Sequence, residues 1–221
     1  MRDRCNNLRA VVLAGLIAMG CFIQTMQAQA GDVQEMVVAG GCFWCVESDF
    51  ESVRGVTEVI SGYTGGDVKD PTYTQVTRGG TGHYEAVRIL YDPARITRPK
   101  LLSLFFRSID PTDAGGQFCD RGNSYRTAIF VSDAAEKLDA ETARAEAQAA
   151  LGQNIVTPIL ERKTFFDAED YHQDYYKGKK IVITRFGPRR QSKAYKLYRE
   201  ACGRDARVRQ LWGNQAPFAG S

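Results

Sequence analysis

The chain has 221 residues, a formal net charge of +3 and six cysteines, two of them in an N-terminal leader. Four thiols in the remaining 191 residues exclude a small disulfide-stapled scaffold, and that length suits one domain with a real core plus a tail. The small net charge hides an asymmetry: residues 177–221 carry twelve basic and two acidic side chains, whereas residues 31–176 sum to −9. A basic tail invites nucleic acid, but export argues against that partner, and a solvated helix or a contact with the acidic body is expected instead.

Arg2, Arg4 and Arg9 form a positive leader, residues 10–23 are an almost uninterrupted apolar run, and Ala28-Gln29-Ala30 supplies a small-x-small cleavage site. The run is too short for a comfortable transmembrane span. Residues 1–30 therefore read as a cleavable signal peptide, leaving a periplasmic or secreted chain with no stable membrane insertion. A rival reading anchors a lipoprotein at Cys21, but Ala18 is a poor match to such a site.

In the mature chain, Val37-Val38-Ala39 is of strand type, Gly40-Gly41 permits a sharp turn, and Val46, Phe50 and Val53 recur at helical spacing. Cys42 then sits at a helix N-terminus, where free amides and the helix dipole are expected to lower its pKa and make it a nucleophile. Residues 55–62 alternate as a strand. Loop chemistry follows in Tyr63-Thr64-Gly65-Gly66, Asp70-Pro71-Thr72-Tyr73 and Gly79-Gly80-Thr81-Gly82. Residues 85–91 form the next strand, with Val87, Ile89 and Tyr91 on the face of Glu85. An amphipathic helix over 100–108 stops at Asp110-Pro111, residues 115–122 are a loop, and 125–131 a strand. A helix over 133–151 is capped by Asp133 and Glu136, Pro158 consigns the weak strand 155–160 to an edge, and a helix over 192–202 closes at Gly203. This order predicts a two-layer α+β domain over 31–176, with helices against a mixed sheet, followed by a basic tail over 177–221.

Cys42 and Cys45 form a Cys-x-x-Cys pair with three readings: a redox dithiol, half a zinc site, or structural thiols. Zinc lacks ligands, because there is no second such pair and His83 and His172 are the only histidines. No metal or cofactor is expected. Redox pairs usually have small or Pro spacers, whereas Phe43-Trp44 offers a large apolar wall suited to an apolar substrate group.

Five segments carry a resemblance: Gly41-Cys42-Phe43-Trp44; Gly62-Tyr63-Thr64-Gly65-Gly66; Thr81-Gly82-His83-Tyr84-Glu85-Ala86-Val87; Asp120-Arg121-Gly122 with Ser124-Tyr125-Arg126; and Ala168-Glu169-Asp170-Tyr171-His172-Gln173. In this order over residues 37–176 they resemble the A-type peptide methionine sulfoxide reductases. The resemblance implies a ferredoxin-like α+β fold and reduction of the S epimer of methionine sulfoxide, free or in oxidised proteins, with a thioredoxin-like electron donor. It implies Cys42 as nucleophile, Tyr63 and Tyr125 as donors to the sulfoxide oxygen, Asp120 as a supporting carboxylate, and His172 and Tyr175 as pocket residues. From the residues alone, Glu85 is the best acid, a carboxyl desolvated at the start of a strand, and Phe43 and Trp44 form the cup for the S-methyl.

Attack by Cys42 leaves a sulfenic acid that condenses with a second thiol. Cys202 is the leading partner, sharing a helix face with Tyr195 and Tyr198; Cys45 and Cys119 stay open, Cys45 being disfavoured because an i, i+3 sulfur in one helix points away. The long basic tail, Cys119 and Ser124 depart from the family pattern. A thiol-disulfide oxidoreductase using Cys42 and Cys45, and a binding module anchored by Phe43 and Trp44, are the other two readings. A monomer is expected.

Overall fold

A computed structural model describes residues 32–220; the leader and Cys21 lie outside the described residues. The chain runs β1 (Gln34–Gly40), α1 (Phe43–Glu51), β2 (Val56–Thr64), a short α2 (Tyr73–Arg78), β3 (Tyr84–Tyr91) and α3 (Arg98–Phe106). Two-residue strands β4 (Gly116–Gln117) and β5 (Asp120–Arg121) pair before β6 (Thr127–Val131), the long α4 (Ala134–Leu151), β7 (Ile159–Glu161) and β8 (Phe166–Asp167). A hairpin of β9 (Ile181–Thr184) and β10 (Gly187–Arg190) and two helices, α5 (Gln191–Ala201) and α6 (Arg204–Trp212), complete the chain.

The main sheet has the order β7-β6-β1-β3-β2-β8, parallel at β6–β7 and antiparallel at the other pairs. With α1 and α3 as crossovers, β1, β2, β3 and β6 make the split β-α-β-β-α-β arrangement, so the expected ferredoxin-like α+β sandwich is the fold observed. Strand alternation explains why the sheet carries two cores. Met36 and Val38 join the helix-covered cluster with Phe50, Ile89 and Leu101, whereas Val37 and Ala39 face Tyr84, Ala128 and Phe130 on the other side. Each fully buried Phe or Ile here contributes about 2–3 kcal/mol. Among the described residues, no helix is long and apolar enough to cross a membrane.

Asp133 caps α4 by accepting from Glu136 N at 2.8 Å, and Gly152 ends it in the left-handed conformation. The sequence reading missed α2, the β9–β10 hairpin and α6. The tail also packs differently from an appendage: Val208, Trp212 and Phe218 are buried in the main core cluster. Its contact with the acidic body is made by buried cations. Arg199 donates to Asp49 at 2.7 Å, and Arg204 donates to the Gly40 carbonyl at 3.2 Å. Arg207 donates to Asp110 at 2.6 Å at the margin.

Candidate active site

Cys42 is placed by the turn that joins β1 to α1. Gly41 has φ +80°, and a Cβ there would lie 2.5 Å from the Gln117 Cβ, so only glycine lets the turn close against β4. Gln117 in turn accepts from Asp110 N and donates to the Asp110 carbonyl, both at 2.8 Å, which locks the 118–120 loop beside Cys42. Cys42 is the N-cap residue of α1 with φ −51° and ψ 115°, half-extended rather than helical. The Cys42 and Cys45 thiols are hydrogen-bonding neighbours.

The expected lowering of the Cys42 pKa is corrected by this geometry. The hydrogen bond with Cys45 pushes it well above the usual thiol value, and burial and the negative charges of Cys45, Glu85 and Asp120 push the same way. Cys45 is lowered to about 7 by that shared hydrogen bond, with Arg204 and Arg199 further offsetting its burial. The first amide of α1 is also not free for the sulfur: Phe43 N donates to Glu85 Oε2 at 3.1 Å. The carboxyl, not the sulfur, receives the helix N-terminus. Of the pair, Cys45 ionises first.

Glu85 stands on the helix-facing side of β3 with Val87, Ile89 and Tyr91, as the alternation predicted, and is 2% exposed. Burial raises its pKa to about 8; the amide of Phe43 and the Tyr125 hydroxyl oppose that rise, and the charge of Asp120 adds to it. It is therefore a protonated carboxyl at neutral pH. It opens onto a cavity of about 460 Å³ that is also lined by Cys42, Phe43, Trp44, Asp120 and Tyr125. Burial lifts the Tyr125 hydroxyl above the ordinary phenol range, so it too keeps its proton.

Tyr63 is the clearest correction. It pairs across the sheet with Glu85, but it is fully buried and its hydroxyl donates to Glu169 Oε2 at 2.8 Å, away from the cavity. The phenol that joins Tyr125 near Glu85 on the cavity wall is Tyr73. Its signal was legible: Thr72 and Gln75 form a capping box that starts α2 at Tyr73 and aims the ring inward. Tyr175 lines the cavity and stacks on Trp44, with centroids 3.8 Å apart and planes 5° from parallel. His172 stands behind that wall, accepting the Trp44 indole N–H at Nδ1 over 3.2 Å, and burial lowers its pKa to about 4 so that it stays neutral. His83 ties the 66–83 loop, with its ring nitrogens facing Gly66 N and the Val68 carbonyl.

The opposite wall comes from the tail: Tyr195, Tyr198, Arg199, Cys202 and Arg204, with Ile183 and Arg185 at the rim. Cys202 is bonded to Cys119, 83 residues away in sequence, so the structure does not hold the expected Cys42–Cys202 pair. Cys42 and Cys45 are free, and all four sulfur residues line the one cavity. Asp120 adds a third potential metal donor within 4.8 Å of the Cys119 and Cys202 sulfurs, but sulfurs bonded to each other are not thiolate ligands.

Residues 34–212 match the model of the peptide methionine sulfoxide reductase family. A "Peptide methionine sulfoxide reductase MsrA 2" of Rhizobium meliloti is 46% identical over 200 residues, covering 90% of this chain and 93% of that protein. One of the same name from Caulobacter vibrioides is 46% identical over 208 residues, 93% of this chain and all of its own length. Among solved structures, reduced Mxr1 of Saccharomyces cerevisiae superposes with a TM-score of 0.64 at 31% identity, covering 70% of this chain and 90% of that one. Methionine sulfoxide reductase A of Corynebacterium diphtheriae gives 0.60 at 30%, covering 69% and 77%. With a match that runs through both the catalytic motifs and the tail helices, the chain belongs to the peptide methionine sulfoxide reductase family, in its A-type branch.

Proposed function

We propose that the chain reduces the S epimer of methionine sulfoxide, free or within oxidised proteins, to methionine. The observation that carries this reading is a thiol and a protonated carboxyl, Cys42 and Glu85, opening onto one cavity whose wall is Phe43 and Trp44. The S-methyl packs against the aromatic pair, while Tyr125 and Tyr73 donate to the sulfoxide oxygen. Glu85 gives its proton to that oxygen as Cys42 attacks sulfur, and it recovers the proton that Cys42 loses. The hydroxyl then passes from the substrate sulfur to the Cys42 sulfur as the transient sulfur–sulfur bond breaks, so methionine leaves and Cys42 carries a sulfenic acid. Asp120 acts through its charge, favouring the protonated form of Glu85.

Cys45 is the nearest thiol to condense with that sulfenic acid, releasing water and forming a Cys42–Cys45 disulfide. Cys202 keeps a recycling role one step later: the reduced Cys119 and Cys202 thiols exchange with the first disulfide and become the Cys119–Cys202 bond. A thioredoxin-like dithiol protein then reduces that bond. Exposed Cys119 suits such a donor. We also infer export through residues 1–30, supported by the leader pattern and by a disulfide that fits an oxidising compartment, and a monomeric working unit. Amino-terminal sequencing of the exported protein is expected to start at Gly31.

The test of the activity is Cys42→Ser with a racemic methionine sulfoxide peptide and dithiothreitol. Wild type is expected to consume only the S epimer and the variant neither; substantial turnover by the variant overturns the assignment.

A further inference from the structure

The hairpin β9–β10 carries a surface that folding does not explain. Strand register pairs Ile183 with Pro188 and Ile181 with Arg190, so these four side chains share one face, and all are exposed. Ile181 is 74% and Ile183 90% exposed, the highest values among the large exposed hydrophobics of the described residues. Val182, on the opposite face, is half-buried in the cluster of Cys45, Tyr175 and Tyr195. The inner side therefore anchors the hairpin to the catalytic aromatics, and the outer apolar side is left to solvent, which is the mark of an interaction surface.

Its charge is as one-sided as its position. Between Lys179 and Arg190 there are five cations and no acid, and none of the five has an ion-pair partner among the described residues. Lys177, Arg199, Arg204 and Arg207, in contrast, reach Glu51, Asp174, Asp49 or Asp110. At the hairpin tip Arg185 lies over the rings of Phe186 and Tyr198, 4.9 and 5.0 Å from their centroids, and this fixes the tip at the cavity mouth. Ile183 and Arg185 are themselves part of the cavity lining. Ile183 and Arg185 are thus placed to meet a polypeptide that sends one side chain into the cavity.

We propose that the outer face of the β9–β10 hairpin is the docking surface for extended, acidic segments of oxidised client proteins. It would hold apolar side chains on Ile181 and Ile183 and acidic ones on Arg190, with Lys180 and Arg189, exposed cations on the Val182 side of the strands, adding to the positive potential around it, so that methionine sulfoxide flanked by Asp or Glu is the favoured protein substrate. This rests on the sulfoxide reductase reading of the cavity. A protein reductant is the competing occupant, and it is removed from the measurement by using dithiothreitol.

The experiment uses two labelled peptides of equal length, with methionine S-sulfoxide flanked by Asp or by Lys. Their binding to the wild type and to K180E/R189E/R190E is read by fluorescence anisotropy, and their reduction by dithiothreitol-coupled turnover. Wild type is expected to bind and reduce the acid-flanked peptide about tenfold better, a preference that fades as salt rises. The triple variant is expected to lose about tenfold on that peptide and to reverse the preference, while turnover of free methionine S-sulfoxide stays at the wild-type rate. Ile181→Ser is expected to weaken both peptides about threefold. Equal affinity of wild type for the two peptides, or an equal loss on free methionine sulfoxide, overturns the docking surface. Absence of turnover on free methionine sulfoxide by wild type would sink the activity reading instead, and the binding arm still decides the docking one.

Discussion

On one wall of the cavity Glu85 is buried among hydrogen-bond donors and keeps its proton to about pH 8; behind the other wall Asp49, equally buried, faces Arg199 at 2.7 Å and Arg204 at 3.9 Å. Burial lifts both carboxyls, but at Asp49 the arginines limit the rise. One arrangement stores a proton that can be delivered, and the other stores a charge that must not be disturbed. Burial alone does not make a catalytic acid. Glu47, whose pKa is likewise raised to about 7, accepts from Ser61 Oγ and Asp174 N at 3.0 and 2.7 Å and lies on the far side of α1 from the cavity. What distinguishes Glu85 is its place beside a nucleophilic sulfur.

The sharpest way to break this contrast is Glu85→Gln. Removing a general acid is expected to lower kcat/KM by about 10³. Between its ordinary value of 4.5 and about 8 the folded chain holds a proton on Glu85 that the unfolded chain has lost, so this group's contribution to stability falls as pH rises through that window. The variant is therefore expected to be more stable than wild type at pH 9 by chemical denaturation. Wild-type activity is expected to fall with an alkaline limb near pH 8, and that limb disappears from the residual activity of the variant. Asp49→Ala should do the reverse. It strands Arg199 and Arg204 without their counter-charge and is expected to cost about 3–5 kcal/mol in the same denaturation experiment.

The legibility of the two walls differed for physical reasons. The catalytic wall is local: Gly40-Gly41 announced the turn, helical spacing announced α1, and the alternation of Val87, Ile89 and Tyr91 put Glu85 on the inner face. Tyr63 and Tyr73 both sit in segments of loop chemistry, and only the capping box of Thr72 and Gln75 separates the phenol that turns inward from the one that turns to Glu169. The tail wall depends on contacts across the chain. Nothing within the neighbourhood of Cys119 names Cys202, 83 residues on. The helix dipole argument failed at Cys42 in part because a long-range carboxyl, Glu85, takes the amide that local reasoning left free. The alternation Ile181-Val182-Ile183-Thr184 followed by Gly187 was a hairpin signal, obscured by reading the region as part of a basic tail.

The phenols sharpen the comparison at smaller effect. Tyr73→Phe and Tyr125→Phe each remove one donor to the sulfoxide oxygen and are expected to lower kcat by about 10² in a steady-state assay with dithiothreitol. Tyr63→Phe is expected to leave kcat within about threefold and to cost about 1 kcal/mol of stability through the lost bond to Glu169. A large loss at Tyr63 and none at Tyr73 would return the oxygen-binding role to the residue that the motif suggested.

The smallest effect expected with dithiothreitol, and the one that divides the sulfur roles, is that of Cys45→Ser. Of the four thiols, sulfoxide reduction needs only Cys42, so a single turnover without reductant should release one methionine per chain at the wild-type rate. Steady-state turnover with dithiothreitol should stay within about threefold, because a small thiol can reach a sulfenic acid on Cys42 directly. With a thioredoxin-like protein as reductant the variant should stall, since the disulfide that Cys119 and Cys202 would receive never forms. Mass mapping of the stalled chain should find oxidised Cys42 unpaired. A Cys42–Cys202 bond in its place would mean that the tail sulfur reaches the nucleophile itself, and that the bond to Cys119 opens within the catalytic cycle rather than at its end.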